Sequence, residues 1–268
     1  MTTPARRRSS VIAAHQRLLD AEIDLLERAQ IAVPSNRWEA SVLGLGRRAI
    51  QLQRTVHDGA VLGYSEELEP VARAMLSAMV TLAYIGRGRG ASEREARVLA
   101  WLVDQRRSRL RLHDYLWRAR RVKKAALEAN AALQDAAGRA MLAEAAARGV
   151  VPAPKVGKWP TWTGLNEYEL FRRTGYLRFY RDYYALWSDD SHAGPTSLNS
   201  AVLKTRRGQL DIGPTGASPW WVLYATARFG INIVAHVNKI YGLRRDKEIL
   251  ALWQRSESEF SACVPPTP

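Results

Sequence analysis

Apolar residues in this chain recur at helical rather than alternating spacing, and this periodicity narrows the choice of folds more than any other feature. Val11, Leu18, Leu19, Ile23 and Leu26 share one face at 100° per residue, which predicts an amphipathic helix over Ser9–Ile31, stopped by Pro34. Asn36 followed by Glu39 has the pattern of a capping box and opens a second helix to about Leu62. Ser65, with Glu66 and Glu67 near the positive end of the helix dipole, predicts a third helix to about Ile85, and Gly86–Gly90 breaks it. Ser92 and Glu95 repeat the capping pattern at the head of a stretch that no proline interrupts before Pro152, so residues 91–149 form one long helix or a helical hairpin. Leu99, Leu102, Leu110, Trp117 and Leu127 keep to about a third of its circumference.

Three prolines make Val151–Thr163 a loop. Asn166–Ser191 returns to helix and ends at Gly194–Pro195. Gly208–Ser218 is an irregular Gly/Pro-rich excursion in which Gln209–Ile212 is a candidate short strand, and helices resume over Pro219–Tyr241 and Arg244–Phe260. The expected architecture is an all-α, multi-helix bundle. No long linker divides the 268 residues, so one domain over 1–268 is expected, with a short N-terminal arm at 1–8 and a C-terminal tail at 264–268.

Composition narrows the chemistry. The single Cys263 has no partner for a disulfide within the chain, and the five histidines show no metal-ligand spacing, so neither a metal nor a cofactor is expected. A reducing cytoplasm is the expected location. The Arg6–Arg8 cluster is not followed by the apolar run of a secretion signal. Glu69 and Arg73 interrupt the apolar window Leu68–Ile85, and Arg228 interrupts Trp220–Ala235, so no membrane span is expected. Forty Lys and Arg against 26 Asp and Glu give a net charge of +14, which favours a phosphate-rich partner such as RNA or DNA.

That charge is concentrated. Arg106–Lys124 holds nine cations against Asp114 alone. Arg107, Arg111 and Arg118 share a helix face, Tyr115 and Trp117 lie among the cations, and Arg109, Arg121, Lys123 and Lys124 complete a candidate nucleic-acid surface. The alternative for this run is a solvated helix face, or an oligomer contact. A second constellation lies in the segment Tyr176–His192. Arg181, Tyr184, Ser188 and His192 are spaced 3, 4 and 4, which on an α-helix makes one row able to hold an anion, or a buried polar network that fixes packing. Arg181 would hold a phosphate, Tyr184 and Ser188 would donate hydrogen bonds, and His192 would carry a proton.

Arg73 within the apolar segment Val71-Ala-Arg-Ala-Met-Leu76, together with the later Tyr184, Ser188 and His192, resembles a bacterial and phage family of helical proteins of unknown function, family 5677, over roughly Gln51–Ala193. The resemblance implies a helical fold and a shared pocket that Arg73 joins, and it names no reaction. It also implies a Glu about six residues after the Arg, where this chain has Met79. A looser likeness, at the level of fold class, is to HEPN domains, whose ribonucleases separate an Arg from a following His by four to six residues. Arg106 and Arg107 precede His113 at that interval and Arg8 precedes His15, about as many matches as an Arg-rich chain yields by chance.

The leading expectation is therefore a nucleic-acid-associated protein, with a bacterial or phage defence or toxin-like role as its setting. Two others stand beside it. One is a metal-independent ribonuclease in which His192 is the general acid/base and Arg181 steadies the phosphate; the other is a non-catalytic interaction module.

Overall fold

A computed structural model of the chain describes residues 4–32, 34–118, 163–185, 187, 203–204, 210–211 and 218–263, with scattered positions between 125 and 148; side chains are excepted at 4–7, 103, 106–118 and in the two strands. Among these residues the protein is all-α. Its helices are α1 (Pro4–Arg28), α2 (Arg37–Leu62), α3 (Glu69–Gly86), α4 (Ala91–Arg118), α5 (Glu167–Thr174), α6 (Leu177–Phe179), α7 (Trp220–Tyr241) and α8 (Asp246–Ser261). A 3₁₀ turn (Glu66–Leu68) leads into α3, and a π-helical turn (Tyr180–Tyr184) continues α6. Two short strands, β1 (Leu203–Lys204) and β2 (Leu210–Asp211), pair antiparallel; β2 falls in the candidate strand Gln209–Ile212, while β1 precedes the Gly208–Ser218 excursion.

The local signals explain most boundaries. Asn36 accepts the Glu39 amide at 3.0 Å, while Glu39 reaches back to the Ser35 amide, one residue earlier than the capping box requires. Two expected caps are corrected. The Ser65 side chain caps nothing and instead donates to the Ser218 carbonyl. At α4, Gly90 (φ 92°) turns the chain, so the helix starts at Ala91 and Glu93, not Glu95, accepts the Arg89 amide. Glu95 pairs with Arg148 at 2.8 Å. The helix expected over Asn166–Ser191 is divided. Asn166 caps α5 through the Glu169 amide, but Gly175 (φ 82°) ends it in the left-handed conformation that favours glycine.

The chain forms two compact units. One consists of Pro34–Ser41 and Tyr84–Gly175; in it the Arg97 guanidinium lies 4.3 Å from the centre of the Tyr84 ring and pairs with Glu93. The other consists of Met1–Val33, Val42–Ala83 and Tyr176–Pro268. Within it α1, α7 and α8 pack on one another, and Val11, Leu18, Leu19, Phe229, Ile233 and Phe260 lie in its core. By length and composition Glu66–Gly86 meets the requirement for crossing a membrane, and more than half of that segment is buried within the protein. Ala72, Met75, Leu76 and Met79 of α3 are fully buried.

A polar seam runs through this second core. His15 and Glu22 of α1, Gln53 and His57 of α2 and Thr226 of α7 are all buried. The Thr226 hydroxyl donates to the Val222 carbonyl at 2.9 Å, so its oxygen accepts from His15 Nε2–H at 3.1 Å. That leaves His15 Nδ1 as the acceptor facing His57 Nδ1 at 3.4 Å, and His57 carries the proton between them. Burial, reinforced by the neighbouring His57, pushes His15 down to about 3. Seven residues along α1, Glu22 and Gln53 meet over Gly230, where a Cβ would come within 2.5 Å of Gln53 Oε1 and 2.6 Å of Glu22 Oε1. Burial raises the Glu22 carboxyl well above its ordinary range, offset in part by Gln53.

These groups titrate in opposite senses. The folded state binds the Glu22 proton more tightly than the unfolded chain does, so this contribution is complete below the ordinary value of 4.5 and declines as pH rises through the raised folded value. His15 is the reverse, its contribution being complete above 6.5 and lost as pH falls toward about 3. Glu22→Gln keeps the shape and removes the titration. Urea unfolding is expected to find the variant at least as stable as wild type at neutral pH, with its advantage widening from pH 5 to pH 9. An advantage that stays constant or shrinks over that range would show Glu22 to be ionised in the folded protein.

Candidate anion-binding site

The site is built on the aromatic turn that follows Gly175. In Tyr180–Tyr184 the Ala185 amide donates to the Tyr180 carbonyl, an i to i+5 bond that widens the turn. Tyr183 and Tyr184 are both buried as a result. Tyr183 meets Trp187 at 5.2 Å and Phe229 at 5.4 Å between ring centres, while Tyr184 stacks on Tyr180 at 5.6 Å.

Arg73 reaches this turn from α3. Its guanidinium carbon lies 4.5 Å from the centre of the Tyr184 ring, and Nη2 donates to the Tyr184 hydroxyl at 3.1 Å. The side chain is half-buried, and Nε is buried without a hydrogen-bond partner. Among the described residues no carboxylate pairs with Arg73. Met79, where the family resemblance implied an acid, is a fully buried apolar residue. A half-buried guanidinium held against a ring, with no described carboxylate beside it, is suited to receive an oxyanion.

Of the four-residue row, Arg181 and Tyr184 are described. Its spacing was read at 100° per residue, and the π turn breaks that register: Arg181 is exposed while Tyr184 is buried against Arg73. Arg181 and Tyr184 therefore do not share the face that the ribonuclease reading assigns them. Ser188 and His192 lie outside the described residues. The backbone of α4 is helical through Arg107, Arg109, Arg111 and Arg118, whose side chains are outside the described set, as are Arg121, Lys123 and Lys124 altogether. The Arg8–His15 interval has a different use, since Arg8 donates to the Ala60 carbonyl and His15 is sealed in the core seam.

The family model for a family of unknown function, DUF5677, matches residues 39–210. The chain belongs to this family. The matched stretch of the DUF5677 member runs from the first turn of α2 to the start of β2 and includes Arg73 and Tyr184, while α1, α7 and α8 lie outside it. No curated protein and no solved structure matches the chain.

Sequence reasoning missed a second half-buried guanidinium, Arg228 of α7, whose carbon lies 4.8 Å from the centre of the Phe179 ring. Its signal was present: Tyr224, Arg228, Asn232 and His236 follow one another at four-residue steps within a largely apolar helix.

Proposed function

We propose that this DUF5677 protein associates with nucleic acid and takes a backbone phosphate at Arg73, against Tyr184. One observation carries the reading, the half-buried Arg73 guanidinium that no described carboxylate neutralises. Removing a charge from water is costly unless a counter-charge meets it, and a phosphate oxygen supplies one with bidentate geometry. The net charge of +14 favours a polyanion over a small anion, because a long anionic strand engages many cations at once. Contact through phosphates predicts binding with little sequence preference.

The test is fluorescence anisotropy of labelled single-stranded RNA and DNA. Affinity is expected to fall by about tenfold or more between 50 and 200 mM salt, the loss that about three phosphate contacts to a single strand produce. An affinity unchanged over that range, or no binding at low salt, would refute the reading.

A further inference from the structure

On α7, Tyr224, Arg228, Asn232 and His236 form a row of half-buried side chains, one per turn. At its centre the Arg228 guanidinium is walled by rings, its carbon 4.8 Å from the centre of Phe179, 5.6 Å from Tyr224 and 5.9 Å from Trp253. Tyr183 lies near enough for the Arg228 charge to pull its phenol down against the larger upward push of burial, and among the described residues no carboxylate pairs with Arg228. Glu257 instead accepts the Tyr224 hydroxyl at 2.8 Å. Burial and that bond push the Tyr224 phenol up to about 12, so it stays protonated beside the cation.

The next two turns fix a proton arrangement by elimination. The Arg228 carbonyl can only accept, so the Asn232 amide nitrogen is the group that faces it, at 2.7 Å. Asn232 Oδ1 therefore faces Tyr176, and the Tyr176 hydroxyl donates to it at 3.1 Å. The Tyr176 oxygen is then the acceptor for His236 Nε2, 2.7 Å away, and that nitrogen carries a proton. The imidazole is oriented from two sides, by this bond and by edge-on packing against the Tyr176 ring at 5.9 Å.

The geometry points to a phosphate-binding site on this face of α7, separate from the Arg73 pocket, in which Arg228 takes the phosphate oxygens and the proton-bearing His236 with Tyr176 lines the adjoining turns. The ring walls hold the guanidinium plane while its edge keeps the donors that match a phosphate bidentately. The phosphate source is either the free ion or a nucleotide. The site rests on its own residues, Tyr176 just before α6 and the others in α6, the π turn, α7 and α8, and does not require the Arg73 reading.

The test uses the full chain, with NMR of arginine Nε–H and histidine ring nitrogens during titration with inorganic phosphate, AMP and acetate. Arg228→Lys and His236→Gln assign the two signals. Saturable shifts of both Arg228 and His236 with phosphate or AMP, and none with acetate at equal ionic strength, are the expected result; a tighter response to AMP than to phosphate identifies a nucleotide as the source. Calorimetry should then show affinity for the better ligand falling about tenfold or more in Arg228→Lys, since an ammonium cannot replace the guanidinium fork, and holding in Arg73→Gln. Unmoved Arg228 and His236 signals in the wild-type protein overturn the proposal, whatever the variants do. Binding that is lost in Arg73→Gln but kept in Arg228→Lys also overturns it, and leaves the Arg73 reading standing.

Discussion

Phe229→Ala is expected to lower the unfolding free energy by about 3–5 kcal/mol, the usual cost of emptying an aromatic site in a close-packed core. Phe229 is fully buried on α7 and is the ring on which Phe179, Tyr183 and Trp187 converge, at 5.6, 5.4 and 6.1 Å between centres. Its loss removes three edge or T-shaped contacts together with the burial of the ring itself. Urea unfolding followed by tryptophan fluorescence would measure the change. A loss below about 1 kcal/mol, the scale of an ordinary surface substitution, would show that the aromatic turn does not pack on α7 as described.

Arg73→Gln is expected to weaken oligonucleotide binding by about 10- to 150-fold, the equivalent of the roughly 1.5–3 kcal/mol that a charged hydrogen bond contributes. Glutamine retains a donor but neither the charge nor the fork. Tyr184→Phe removes only the hydroxyl that Arg73 donates to at 3.1 Å, leaving the ring 4.5 Å below the guanidinium. A smaller loss is expected there, severalfold, in line with about 0.5–1.5 kcal/mol for one positioning hydrogen bond. Equal affinities in all three proteins would place the phosphate contacts elsewhere on the chain.

The helical class was legible because its signals are local. Periodicity along α1 and the side-chain cap at Asn36 depend on neighbours within one turn, and they hold. Where a local signal failed, a tertiary or backbone event had displaced it. Ser65 has the composition of a cap, but its hydroxyl finds a carbonyl 153 residues away. Ser92 and Glu95 have the spacing of a capping box, but the positive φ of Gly90 sets the start of α4 so that Glu93 meets the free amide. The aromatic turn misled in another way, since a π turn has no dependable sequence signature and its wider register separates Arg181 from Tyr184.

The site was legible as a set of residues and not as a geometry. Arg73 and Tyr184 stand 111 positions apart, and no periodicity links them; the family resemblance brought both into view. Arg228, Asn232 and His236 could have been found by counting along α7, as the row Arg181–Tyr184 was counted. They were hidden by the apolar residues around them, which read as core.

The central claim, that Arg73 contacts a backbone phosphate, is tested most directly by the salt dependence of oligonucleotide binding in wild type and Arg73→Gln side by side. Each phosphate contact adds nearly one to the slope of log affinity against log salt, about 0.7 for a single strand. The account predicts a shallower slope in the variant by about that amount, with affinity lower at every salt. Parallel lines, with the variant weaker or not, would mean that no phosphate is released from Arg73, and would contradict it.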